Sequence, residues 1–191
     1  MDPHLKYHNW LRGRNIKGII YRKYFLYPKI NKFFNSRILD VGCGVGDFLR
    51  YSENSIGIDI NIFNINYVKD LGLEAYLMKD NKIPFSDKEF KSILLDNVLE
   101  HIENPYPLLK EIKRISSENA VFIVGVPGIE GFKRDSDHKI FYDDYSLKEL
   151  IQKFGFNHIK TFYMPLNFKF LSKLISQFCV YQVFIRDLSK P

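Results

Sequence analysis

Cysteine is scarce in this chain of 191 residues. The two present, Cys43 and Cys179, stand far apart and in no metal-ligand spacing. That excludes a disulfide-stapled scaffold and a zinc-finger framework, and it leads us to expect no metal and a reduced, cytoplasmic setting. No apolar run approaches the roughly 18–20 residues that a membrane-spanning helix needs. The opening stretch, "MDPHLKYHNW", lacks the apolar core of a signal peptide, which adds to the cytoplasmic expectation. Acid is missing from one end: residues 1–37 hold nine Lys and Arg against Asp2 alone, a charge of +8. The whole chain carries +6, so the rest sums to −2. The basic character therefore belongs to the N-terminal segment. Such a segment attracts phosphates, anionic lipids or acidic metabolites, or it is a solvated helical surface. Internal repeats and low-complexity tracts are absent as well.

What is present is a large apolar fraction, 46%, enough for one domain with a true core. Short apolar and β-branched runs recur after residue 37: "RILDV" (37–41), "SIGIDI" (55–60), "LEAYLM" (73–78), "SILLDNV" (92–98) and "AVFIVGVP" (120–127). Runs of this length bounded by turn residues predict strands covered on both faces. Helical spacing separates them. Leu108, Leu109, Ile112 and Ile115 share one face, as do Leu147, Leu150, Ile151 and Phe154, with Gly155 as a stop. Ser146 is expected to cap that second helix, with Glu149 closing a capping box. Two further strands (157–164 and 179–188) flank a helix-like stretch at 167–178, and residues 5–35 read as helical. Alternating strands and helices predict an α/β domain with a parallel sheet over 37–191. Residues 1–36 form a helical extension or lid.

The chemistry concentrates in "RILDVGCGVGDFL". Gly42, Gly44 and Gly46 follow a buried strand, where ligands of parallel sheets bind. Glycine admits positive φ and lets a ligand approach the backbone closely. The spacing is G-x-G-x-G, and Asp47 occupies the third-glycine position of a dinucleotide loop; the Gly-Lys-Ser/Thr of a P-loop is also absent. The loop therefore predicts a ligand without phosphates there, and Asp40 suits an ammonium group. Asp59, ending the second strand, is placed to accept both hydroxyls of a ribose. The ligand so described is a nucleoside carrying a charged amino acid.

With "GIDI", "IPFSDKEFKSILLDNVLEHIENPYPLLKEIKRI" and "VFIVGVP", this loop resembles the successive motifs of class I S-adenosylmethionine-dependent methyltransferases, over about residues 37–165. The "LEH" version resembles a broad group acting on quinones, glycans and small molecules. The resemblance implies a Rossmann-like, seven-stranded, mostly parallel sheet with helices on both faces and the last strand antiparallel. It implies S-adenosyl-L-methionine as cofactor. Gly42, Cys43, Gly44 and Gly46 would surround its methionine end, with Asp40 near the amino group. Asp59 would hold the ribose and Ile60 an adenine face. Asp80 and Asn81 would meet the adenine edge, with Asp80 one residue nearer to Pro84 than is usual. Asp96, Asn97 and Val98 would lie beside the sulfonium, although "DN" departs from the usual small polar residue followed by an acid.

Methyl transfer to an oxygen needs a positioned base. His101 and His138 are the candidates, ahead of Asp137, Tyr142 and Glu130; each histidine also has a purely structural reading. The expected acceptor is a sugar or other small metabolite, in surface-polysaccharide or lipid-linked synthesis. Phe168, Leu171, Ile175 and Phe178 on one helical face, with "YRKYFLYPKINKFF", suggest a peripheral contact with the inner membrane face. Two alternatives stand beside this: an RNA methyltransferase using the basic segment, against which the absence of any RNA module counts, and a cofactor-binding partner subunit without turnover.

Overall fold

A computed structural model describes residues 2–79, 82–167 and 178–189. Its centre is one seven-stranded sheet in the order β3-β2-β1-β4-β5-β7-β6. β1 (Ile38–Val41), β2 (Ser55–Asp59), β3 (Ala75–Leu77), β4 (Phe90–Asp96) and β5 (Ser116–Pro127) pair in parallel. β7 (Cys179–Arg186) inserts antiparallel between β5 and β6 (Phe156–Met164). The chain order reverses at β1, between β2 and β4. That reversal opens a crevice beyond the carboxyl ends of the strands. Because β7 runs backwards, its first residue, Cys179, reaches the same rim where β4 ends at Asp96.

β1 is buried at all four positions, as a strand covered on both faces must be. One cluster joins β1, β2 and β4 to α5 (Tyr106–Ile115) and α7 (Asp144–Gln152). On α5, Leu108, Leu109, Ile112 and Ile115 are all buried, and each contributes about 1.5–3 kcal/mol. On the other face, Leu26, Tyr27 and Ile30 of the N-terminal segment pack on Ile38, Leu94 and Tyr181. The extension is thus part of the core as well as a cover. It runs as α1 (Pro3–Arg12), α2 (Ile16–Tyr21), a π turn (Arg22–Leu26) and α3 (Tyr27–Asn31). α4 (Ile62–Asp70) and α6 (Ile129–Phe132) complete the α-helices of the described residues, and Leu99–His101 form a 3-10 turn after β4.

One local expectation is corrected. α7 is capped by Asp143, not Ser146: the Asp143 carboxylate accepts from the Ser146 amide, and Ser146 Oγ accepts from the Asp143 amide. The box exists one turn earlier, because Asp at N-cap leaves Ser free to serve as N3. Beyond β1 no regular helix follows the glycines. Residues 44–51 form consecutive turns, with Arg50 N–H reaching Gly46 O at 3.0 Å. The positive φ values of Gly44 and Gly46 (52° and 77°) interrupt the helical geometry there. The helix expected at 167–178 lies outside the described residues except for its two ends.

Candidate active site

The crevice is a cavity of about 1000 Å³ above the carboxyl ends of β1, β2 and β4. It gathers Asp40, Gly42, Cys43, Gly44, Asp59, Ile60, Asp96, Asn97, Val98 and His101, residues taken from three stretches of the sequence. Gly46 and His138 do not line it. Gly46 faces Val68 instead, where an added Cβ would stand 3.1 Å from Val68 Cγ2. Asp80 and Asn81 lie outside the described residues.

The glycine loop is shaped by contact. Gly42 has φ 77°, and a Cβ there would come 2.4 Å from Val98 Cγ2. The amides of Gly42 and Cys43 both reach Ile58 O, at 2.8 and 3.0 Å, tying the loop to β2. Asp59 ties it again. Its carboxylate accepts from the Gly44 amide (2.8 Å), the Asn61 amide (2.7 Å) and Asn64 Nδ2 (3.3 Å). Burial pushes this carboxyl up, and those three bonds oppose the rise. A carboxylate offers about four acceptor sites, so Asp59 keeps capacity for one more hydrogen bond. Asp40 is buried at the foot of the loop. Burial, then the neighbouring Asp96, Asp59 and Asp47, hold its carboxyl well above the usual range. A cationic group entering here would relieve that crowding.

At the end of β4, Asn97 takes a left-handed φ of 56°, which Asn tolerates better than most residues. Asp96 accepts from Tyr181 Oη (2.7 Å), Asn97 Nδ2 (2.8 Å) and Arg22 Nη1 (3.0 Å). Arg22 comes from the N-terminal segment, and its role was not visible in the sequence. Nor was that of Arg14, which pairs with Asp47 at 2.6 Å, while Arg50 holds the other Asp47 oxygen. α1 lies over the loop. His8 Nδ1 meets Asn64 Oδ1 at 2.9 Å, Asn61 Nδ2 donates to His4 O at 2.7 Å, and Leu11 covers Gly44.

The two histidines stand in different positions. His101 lines the cavity, with Nδ1 3.2 Å from Asp137 Oδ2. Burial and the nearby His138 lower its pKa, so the ring is neutral at pH 7. With Nδ1–H toward Asp137, Nε2 is left as a proton acceptor. His138 packs behind it, ring centroids 4.6 Å apart, with Nδ1 2.9 Å from Phe132 O. Its Nε2 faces Glu100 Oε1 at 3.9 Å. Glu100, His101 and His138 bring ligand atoms within 4.8 Å of one another.

Glu100 was missed by the sequence reading. It is 1% exposed, neither carboxyl oxygen has a hydrogen-bond partner, and burial pushes its pKa up to about 8. The folded state therefore keeps a proton that the unfolded chain loses from about pH 4.5 upward, so stability falls as pH rises to about 8. Glu100→Gln mimics the protonated acid. Urea unfolding is expected to show it about 2–4 kcal/mol more stable than the parent at pH 9 and nearly equal at pH 5. An equal offset at both pH values would refute the assignment.

Residues 19–161 match the family described as the methyltransferase domain. The chain belongs to that family. Among its relatives is the uncharacterized protein MJ1123 of Methanocaldococcus jannaschii, 30% identical over 65% of this chain and 66% of its own length. The chain thus spans just under two thirds of that relative. MJ0638 of the same organism is 31% identical over 76% of this chain and 71% of its own length. The fold matches a SAM-dependent methyltransferase from Archaeoglobus fulgidus at a TM-score of 0.72, with 17% identity, covering 97% of this chain and all of the other. A Haloferax volcanii methyltransferase in complex with the activator Trm112 matches at 0.76, with 14% identity and 97% and 98% coverage.

The methyltransferase fold accounts for the seven-stranded order and the antiparallel β7. S-adenosylmethionine is the cofactor, and the cavity fits it. A side chain at Gly42 would fill the loop, Asp40 is crowded by acids where an ammonium would enter, and Asp59 retains an acceptor site.

Proposed function

We propose that this methyltransferase acts on an oxygen of a small-molecule or glycan acceptor enclosed with the cofactor. The observation that carries this reading is the cover over the cavity. His4, Tyr7, Leu11 and Arg14 of the N-terminal segment form its outer wall, and Arg14 and Arg22 are paired with Asp47 and Asp96. Arginines so engaged are not available for the phosphates of a long RNA. When bound, beside Asp40, Gly42, Gly44 and Asp59, the cofactor would supply an activated methyl group, and an acceptor hydroxyl would have to lose its proton to take it. The chain's part is approach, alignment and proton removal. His101 is the residue we assign to that proton, at Nε2, with Asp137 orienting the ring and His138 supporting it from behind.

What supports a lipid-linked acceptor is the outside of the same segment. Ile16 is 70% exposed and Phe25 64%, beside Lys17 and Lys23, the composition of a surface that rests on anionic lipid. No helix among the described residues is long and apolar enough to cross a membrane. Relatives named for tRNA and for ubiquinone biosynthesis both exist, so the acceptor must be tested directly.

The test is methyl transfer from radiolabelled cofactor into small-molecule, lipid, glycan and RNA fractions of a cell extract. Label is expected in the first three classes and not in RNA. His101→Ala is expected to lower kcat about 10²–10⁴-fold with cofactor affinity unchanged. Label confined to RNA would replace this reading with the RNA one. Cofactor binding with no transfer to any fraction would favour a partner subunit without turnover.

A further inference from the structure

Three metal-ligating side chains meet where the turn after β4 packs on the loop between α6 and α7. Glu100 and His101 lie on the 3-10 turn, and His138 comes from the loop. The amides of Lys139 and Ile140 donate to Glu100 O at 2.7 and 3.2 Å, which holds His138 against the turn. His138 Nε2 stands 3.9 Å from Glu100 Oε1 and 3.9 Å from Asp135 Oδ2. One ligand atom from each of Glu100, His101 and His138 lies within 4.8 Å of the other two.

Both rings are oriented from outside the cluster. His101 Nδ1 donates toward Asp137 Oδ2 at 3.2 Å, and His138 Nδ1 donates to Phe132 O at 2.9 Å. Each ring then keeps the lone pair of Nε2, which is how metal-bound histidines are held. Glu100 is 1% exposed, and neither carboxyl oxygen has a hydrogen-bond partner although Oε1 faces His138. Buried polar atoms without partners are rare, and an ion among these donors would satisfy them. One carboxylate and two imidazoles suit zinc and its neighbours, not magnesium or calcium, which take oxygen ligands. Bonds of about 2.0–2.2 Å put tetrahedral ligand atoms about 3.4 Å apart, so the 3.9 Å pair closes by about 0.5 Å. A turn of the His101 ring, together with the exposed Asp137, closes the remaining gaps. The ion thus lies between the donors, not in the open cavity. It enters past His101 and Asp135, which line that cavity.

We propose that Glu100, His101 and His138 form a site for a divalent transition-metal ion of the zinc class at the edge of the active-site cavity. The expectation of no metal rested on cysteine spacing, and this donor set contains no cysteine. What the ion does to turnover rests on the assignment of proton removal to His101 above. An ion on Nε2 takes the lone pair that would receive the proton. Ion and proton therefore compete, and a filled site is an inhibited one.

The experiment strips the full chain with EDTA, removes the chelator, and titrates zinc chloride and magnesium chloride by calorimetry. A single zinc ion per chain is expected, with no binding of magnesium. Asp137→Asn is expected to weaken zinc about 10–100-fold through the orientation of His101. Glu100→Gln and His138→Ala, which remove ligands, should weaken it further. Thermal unfolding checks that each variant is folded, and Asp137→Asn, at an exposed side chain, stays informative if a buried variant is not. Cobalt(II) should give visible absorption bands in the parent and lose them in Glu100→Gln. Transfer of labelled methyl should fall as zinc fills the site and return with EDTA. Zinc affinity that none of the three variants moves would overturn the site, as would magnesium bound as tightly as zinc. Zinc that binds as expected and raises turnover would overturn the competition, and with it His101 as proton acceptor. Zinc bound as expected with no methyl transfer before or after EDTA would remove the functional reading above and leave the ion site standing.

Discussion

Gly42→Ala is expected to weaken S-adenosylhomocysteine binding at least about a hundredfold and to cost about 2–4 kcal/mol of stability. Two separate costs combine. The residue has φ 77°, a region costing an L-residue about 1–2 kcal/mol. The new methyl would also meet Val98 Cγ2 at 2.4 Å, far inside contact distance. Neither can be relaxed alone, because the Gly42 and Cys43 amides are fixed on Ile58 O and the Gly44 amide on Asp59. The loop must shift as a unit, and the cavity floor moves with it. Calorimetry with S-adenosylhomocysteine and thermal unfolding read the two effects. Adding Val98→Ala separates them: it removes the clash and leaves the φ cost, so it should restore about half of the lost stability. Restoration of all of it would show that the left-handed backbone is not strained by alanine.

The contrast between this loop and the rest of the site explains what was legible in the sequence. Gly42, Gly44 and Asp59 announce themselves because their chemistry is local: glycines at a strand end, an acid at the end of the next. Parallel strands place those ends side by side without further information. The seven strands were legible for the same reason, since short apolar runs between turn residues leave few other arrangements. Asp47 shows the limit. From sequence it reads as an acid that turns phosphate away; in the fold it anchors Arg14 and Arg50, so it holds the cover in place. Its partner Arg14 lies 33 positions away, and Arg22 lies 74 from Asp96. No periodicity encodes such pairings. They follow from the N-terminal segment packing Leu26, Tyr27 and Ile30 into the sheet, which carries its arginines to the rim. The histidines divide likewise: both could be named from the sequence, but only packing puts His101 on the cavity and His138 behind it. Glu100 was hidden because a glutamate beside a histidine gives no sign of lying at 1% exposure.

Arg22→Met tests whether that N-terminal segment is part of the active site or an ornament on it. Asp96 has a side chain 9% exposed, and Arg22 neutralises it from 3.0 Å. Methionine keeps much of the volume of the arginine stem and removes the charge. A buried carboxylate deprived of its partner costs about 3–5 kcal/mol. Arg22 is itself 25% exposed, so water reaches the pair and the expected loss is smaller, about 2–3 kcal/mol. Tyr181 and Asn97 still donate to Asp96 and cannot replace the charge. The double variant Arg22→Met with Asp96→Asn carries no orphaned charge and should recover more than half of the loss, which urea unfolding of the four proteins measures as a coupling energy. Cofactor affinity should fall in Arg22→Met as the cover loosens, and limited proteolysis should begin between residues 13 and 22. A coupling below about 0.5 kcal/mol would mean that water already screens the pair. The cover would then be held by the apolar packing of Leu11, Leu26 and Ile30 alone.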